Sequence, residues 1–165
     1  MISPNLEKAI NDQINNEFFA SYLYLSMSAY CDRQSLGGFA HWFRLQSEEE
    51  KGHAMRLFDF LSDCNGVVEL KGIAAPATNF NSILALAEEA FNHEKKVSKR
   101  INDLYELALK EQAFAVQTHL HWFLTEQVEE EKSAGDIVAK LKLIGKEVAP
   151  LLELDRELGT RSSND

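Results

Sequence analysis

Hydrophobic residues recur every three to four positions along most of the chain, and no run of alternating β-branched residues breaks that rhythm. The pattern predicts an all-α protein. Ser3-Pro4 reads as an N-cap followed by proline at the first helical position, opening a helix from about Pro4 to Cys31. A second helix is expected from near Ser35 to Cys64, ahead of Asn65-Gly66, a pair suited to ending a helix. Periodicity then lapses over residues 66–80, which hold Gly66, Gly72 and Pro76 and read as an extended connection. Helical spacing returns from about Asn81 to Lys110 and from Gln112 to Gly145, with a short fifth helix near Lys146 to Leu158. Gly159 to Asp165 reads as a frayed tail.

Lengths convert these elements into a topology. A helix of ~29 residues is ~43 Å long, and a 15-residue connection can stretch to ~50 Å. The connection can therefore run the length of a bundle. Short links make helices one and two, and three and four, antiparallel pairs, while the long crossover leaves two and three parallel. The expected architecture is a four-helix bundle with a long crossover and a short C-terminal helix, a single domain over residues 1–165. Cys31 and Cys64 then fall at opposite ends of the second helix, too far apart for a disulfide.

Composition narrows the function. The 165 residues are 45% hydrophobic and 26% charged, enough for one buried core. Seventeen basic against 26 acidic side chains give a formal charge of -9, which disfavours nucleic-acid binding and favours attraction of cations. No apolar run is long enough to span a membrane, and Met1 to Asn5 lacks the plan of a signal peptide, so a cytoplasmic location is expected.

Several carboxylates stand where the pattern calls for leucine. On the first helix Leu6, Ile10 and Ile14 lead along one stripe to Glu17 and then Tyr24. On the second, Phe39, Phe43, Leu57 and Leu61 bracket Glu50, with His53 beside it; on the third, Ala87, Phe91, Val97 and Ile101 enclose Glu94. The fourth carries Gln127 on its stripe and Glu130 at the stripe's edge. One such glutamate ordinarily snorkels out or pairs with a base. Four helices making the same exception near mid-length would bring acids to one level, where desolvation and repulsion are severe. No lysine or arginine shares those stripes nearby, and two divalent cations would offset four carboxylates.

Glu50-Lys51-Gly52-His53 sets a carboxylate and an imidazole one turn apart on one face, a metal-ligand spacing that gains force from Glu17 and Glu94 on other helices. Oxygen-rich ligation with one imidazole and no thiolate suits Fe(II) or Mn(II), and also accepts Zn(II). Glu49 lies close in angle to His53, and Glu126, Glu129 and Glu130 share a flank of the fourth helix. They form an acidic step beside the centre that a solvated charge run would also explain.

At these residues the chain resembles the non-haem bacterial ferritins over essentially its whole length. The matching pieces are Glu17 with Tyr24, Ser47 through His53, His93-Glu94, and Trp122 through Glu131. A glutamate from two helices and Glu-x-x-His from others is the known plan of ferritin-like di-iron proteins. The resemblance implies a homo-oligomeric hollow shell of 24 subunits that oxidises Fe(II) with dioxygen or peroxide and stores ferric mineral. It implies a first iron site of Glu17, Glu50 and His53 with Glu50 bridging, and a second of Glu94 and Glu130 with the Gln127 amide. A third iron site would use Glu49, Glu126 and Glu129 together with Glu130. Tyr24 would donate an electron or a hydrogen bond, unless it is an ordinary core tyrosine.

The departures are as informative. Bacterioferritins repeat Glu-x-x-His on the fourth helix, whereas Gln127 to Glu130 supplies no imidazole. Lys51 stands where their haem-binding methionine would be, so no haem is expected. Gln117 and Leu120 replace the acids that animal ferritins carry at their three-fold pores. Iron storage with ferroxidase activity is the leading expectation. A di-metal oxidase acting on an organic substrate, or a helical interaction protein with salt-bridged acids, remains as an alternative.

Overall fold

The computed structural model describes residues 2–162 and is all-helical there: α1 Pro4–Arg33, α2 Gly37–Asp63, α3 Ile83–Lys110, α4 Phe114–Ile144 and α5 Val148–Leu158. Ser3 caps α1 as expected, its hydroxyl accepting from the Leu6 amide at 3.2 Å. Helices α2 to α5 each start two residues later than periodicity suggests. Ser35 (φ 60°) and Gln112 (φ 53°) take left-handed backbone in the tight links before α2 and α4, a conformation that ends a helix, and Asn65 (φ 58°) does the same after α2.

The bundle has the expected order, and the crossover displays it residue by residue. Asn11 and Asn15, one turn apart on α1, each present a side-chain amide to the extended segment as another strand would. Asn11 donates to the Val67 carbonyl at 2.8 Å and accepts from the Glu69 amide at 2.7 Å. Asn15 repeats the pair with Glu69 and Lys71, at 2.8 and 2.7 Å. Further on, Ser26 bonds the Ala77 carbonyl, Arg33 the Thr78 carbonyl and Tyr30 the Phe80 carbonyl. The segment therefore climbs α1 from its first turns to its last and delivers α3 parallel to α2. Cys31 and Cys64 are both free thiols.

α5 crosses the start of α2 closely. A Cβ on Gly38 would lie 1.6 Å from the Asp155 carbonyl oxygen, so only glycine permits this contact. Asp155 returns a side-chain bond to the Phe39 amide at 2.9 Å, serving the α2 terminus that has no cap of its own. The tail is also held, contrary to the expected fraying. The Arg161 carbonyl accepts from His41 at 2.8 Å, and its guanidinium reaches Gln46 and Glu49. The rest of that predicted tail, Ser163 to Asp165, lies outside the described residues.

The apolar interior is split in two. One cluster, containing Tyr24, Phe39, Phe43, Leu86 and Leu141, packs where α1 ends and α5 docks. The other, containing Ile10, Ile14, Leu57, Ile101 and Phe123, fills the opposite half. Leu120 belongs to this second cluster and is 1% exposed, so it packs the core. Among the described residues, no helix is long and apolar enough to cross a membrane.

Candidate metal centre

Between the two clusters lies a polar layer: Glu17 from α1, Glu50 and His53 from α2, Glu94 from α3, and Gln127 and Glu130 from α4. All six are buried, Glu17 and Glu50 completely. Helical arithmetic places them there, because Glu17, Glu50, Glu94 and Gln127 replace stripe residues near the midpoints of helices of 27 to 31 residues, with His53 and Glu130 next to them.

Two groups of potential ligands have donor atoms within 4.8 Å of one another: Glu17, Glu50 and His53, and His53, Glu126 and Glu130. Both oxygens of Glu50, one oxygen of Glu17 and His53 Nδ1 are buried without a hydrogen-bond partner. Leaving such atoms unpaired costs about 1–3 kcal/mol each, and more when charged. Trp122 and Phe123 wall in the imidazole edge-on, with centroids 5.3 and 6.1 Å away.

The remaining oxygens are held by neighbours one turn away or across the bundle. Gln13 donates to Glu17 Oε1 at 2.7 Å. The Tyr24 hydroxyl donates to Glu94 Oε1, and Gln127 Nε2 donates to Glu94 Oε2 at 3.2 Å and to Ser98 at 3.3 Å. Gln46 donates to Glu130 Oε2. Ser98 and Gln127 also line a cleft of about 290 Å³ between α3 and α4.

Electrostatics follow from burial of like charges. Desolvation, then repulsion from Glu50, lifts the Glu17 carboxyl well above its usual range; desolvation, then Glu94 and Glu130, does the same to Glu50. Glu94 is raised by burial against the opposing bonds from Tyr24 and Gln127. Glu130 is pushed up to about 8 by burial and by Glu94. The Tyr24 phenol is raised well above its ordinary value, so it stays a donor. His93 is pushed down to about 4 by burial, and its neutral ring packs edge-on against Tyr24 at 5.9 Å.

The acidic step is only partly assembled. Glu126 joins His53 and Glu130, while Glu49 is ion-paired to Arg161 at 2.7 Å and Glu129 is exposed. Gln13, Gln46 and Ser98 were not singled out from the sequence, although each stands four residues from Glu17, Glu50 or Glu94. The i, i+4 rule finds Gln13, which bonds Glu17, whereas Gln46 and Ser98 bond across the bundle to Glu130 and Gln127. Arg161 carried no such signal, since its approach depends on how α5 crosses α2.

The crossover bundle that carries this layer recurs in known proteins. Residues 7–144 match the ferritin-like domain family model. A bacterial non-heme ferritin of Staphylococcus aureus is 37% identical over 165 residues, covering 100% of this chain and 99% of the relative. One from Staphylococcus haemolyticus is 38% identical over the same span. Among solved structures, an open pore ferritin from the hyperthermophilic archaeon Archaeoglobus fulgidus superposes with a TM-score of 0.97 at 47% identity, covering 98% of this chain and 100% of that one. Matching helices, crossover and sequence over nearly the full length leave one assignment: the chain belongs to the ferritin family.

Proposed function

We propose that this chain is an iron-storing ferroxidase subunit, with iron as its substrate and cargo. The observation that carries the reading is Glu50, whose two carboxylate oxygens are buried, unpartnered and surrounded by other acids. An arrangement so costly without a counter-ion is relieved when cations bind. Glu17, Glu50 and His53 would hold one Fe(II), Glu94 and Glu130 a second with help from Gln127, and Glu50 would bridge them.

Two Fe(II) ions each yield one electron, and dioxygen accepts the two electrons with two protons to give hydrogen peroxide; peroxide can in turn serve as oxidant. The residues contribute geometry and charge: Gln13, Tyr24 and Gln46 orient the ligand carboxylates, and Trp122 with Phe123 restricts water around His53. Fe(III) so formed would hydrolyse and collect as ferric oxyhydroxide within a cytoplasmic hollow shell of 24 identical subunits. A third, weaker position would use Glu49, Glu126 and Glu130, with Glu129 at its rim. The residue after Glu50 is the exposed Lys51, and no haem is expected.

Crystals soaked anaerobically in Fe(II) test the ligand assignment. Anomalous density is expected beside Glu17, Glu50 and His53 at high occupancy and beside Glu94 and Glu130 at equal or lower occupancy. Density confined to the surface, with the central layer empty at saturating iron, would refute it. Light scattering should give the mass of a 24-subunit particle, and a stable dimer or dodecamer as the only species would overturn the assembly.

A further inference from the structure

Arg161, three residues beyond the end of α5, lies against the acidic step. Its guanidinium donates from Nη2 to Glu49 Oε2 at 2.7 Å and from Nη1 to Gln46 Oε1 at 2.9 Å, and it sits 5.0 Å from the centre of the Trp42 ring. The side chain is 16% exposed, and the Arg161 carbonyl is tied to His41. Gln46 in turn donates its amide hydrogen to Glu130 Oε2. One fixed cation therefore holds a carboxylate of the outer step directly and touches a carboxylate of the inner centre through a single amide. Geometry this specific, fork on carboxylate and amide with an aromatic face behind, fits arginine and suits lysine poorly.

We propose that Arg161 is a positioning residue that sets the affinity of the outer metal position: its guanidinium occupies Glu49, so a third cation must displace it or share the step with it. This rests on the reading of the centre proposed above. A divalent ion at Glu49, Glu126 and Glu130 would lose one ligand's full charge to Arg161 and would feel its repulsion at short range. The third ion is thus held weakly and passes on, while the inner pair, whose ligands Arg161 does not neutralise, is held firmly. The C-terminal segment thereby acts on iron traffic without ligating iron.

Anaerobic Fe(II) titration of the intact apo-protein, followed by calorimetry, tests this on the third equivalent per subunit. Arg161→Gln removes the charge and keeps a hydrogen-bonding side chain, and should tighten the third equivalent by about tenfold or more. Arg161→Lys keeps the charge but not the fork, and should place that equivalent between wild type and Arg161→Gln. Adding Glu49→Gln to Arg161→Gln should abolish the gain, which places the effect at the Glu49 carboxylate. A third equivalent unmoved in Arg161→Gln, or tightened equally in Arg161→Lys, would overturn the inference alone. Wild-type protein that takes up no tight pair would overturn the reading of the centre and this inference together.

Discussion

His53 places Nδ1 3.3 Å from Glu50 Oε2, one turn away on α2, and both atoms are buried without a hydrogen bond. An imidazole and a carboxylate held that close, yet left unsatisfied, are arranged for a cation that both can reach. The consequence is a centre whose stability, proton content and metal affinity are linked.

Metal uptake should release protons. Glu130 is pushed up to about 8, and Glu17, Glu50 and Glu94 are also raised, so the metal-free centre retains protons at neutral pH that a cation must expel. Anaerobic Fe(II) binding should strengthen from pH 6 to 8.5, with fewer protons released per ion at the upper end. Calorimetry in buffers of different ionisation enthalpy measures both quantities. No proton release at pH 7 would contradict the assignment.

The same shift makes a stability prediction. A carboxyl whose folded value lies above its unfolded value of 4.5 favours the fold fully below 4.5 and loses that contribution as pH climbs through about 8. Glu130→Gln removes this dependence. The Tm of the metal-free variant should therefore gain on the metal-free wild type as pH rises from 5 to 8. A constant difference across that range would show that Glu130 is not raised.

Glu50→Ala removes the proposed bridge. Rapid Fe(II) oxidation should fall by about a hundredfold or more, while the particle still assembles, because losing one buried acid relieves repulsion within the metal-free layer. Stopped-flow absorbance reads the rate and light scattering the assembly. Initial rates equal to wild type would reject the assignment.

Most of this centre was legible because helical periodicity is rigid. Glu17, Glu50, Glu94 and Gln127 occupy stripe positions between residues that prove fully buried, such as Ile14, Leu57, Ile101 and Phe123. Angle alone therefore placed them in the core, and mid-helix position placed them at one level. Helix ends were less legible, since Ser35 and Gln112 adopt left-handed backbone that their side chains do not announce. Arg161 was hidden for another reason: its partners Gln46 and Glu49 lie more than 110 residues away, brought near by the Gly38 and Asp155 contact between α2 and α5.

Tyr24→Phe tests the bond across the bundle from α1 to α3. The hydroxyl is the buried donor to Glu94 Oε1, and removing it leaves that carboxylate with Gln127 as its remaining side-chain partner. Affinity at the Glu94 position should fall by about tenfold, with the ion at Glu17, Glu50 and His53 less affected. Anaerobic titration resolves the two, and equal affinities in variant and wild type would reduce Tyr24 to a packing residue.

Aerobic loading with a large excess of Fe(II) tests the central claim most directly. After size exclusion, iron should travel with the protein particle as soluble Fe(III) far beyond the two or three ions per subunit that the ligands could hold. Oxidation no faster than in buffer, with iron beyond the ligand count precipitating outside the particle, would contradict it.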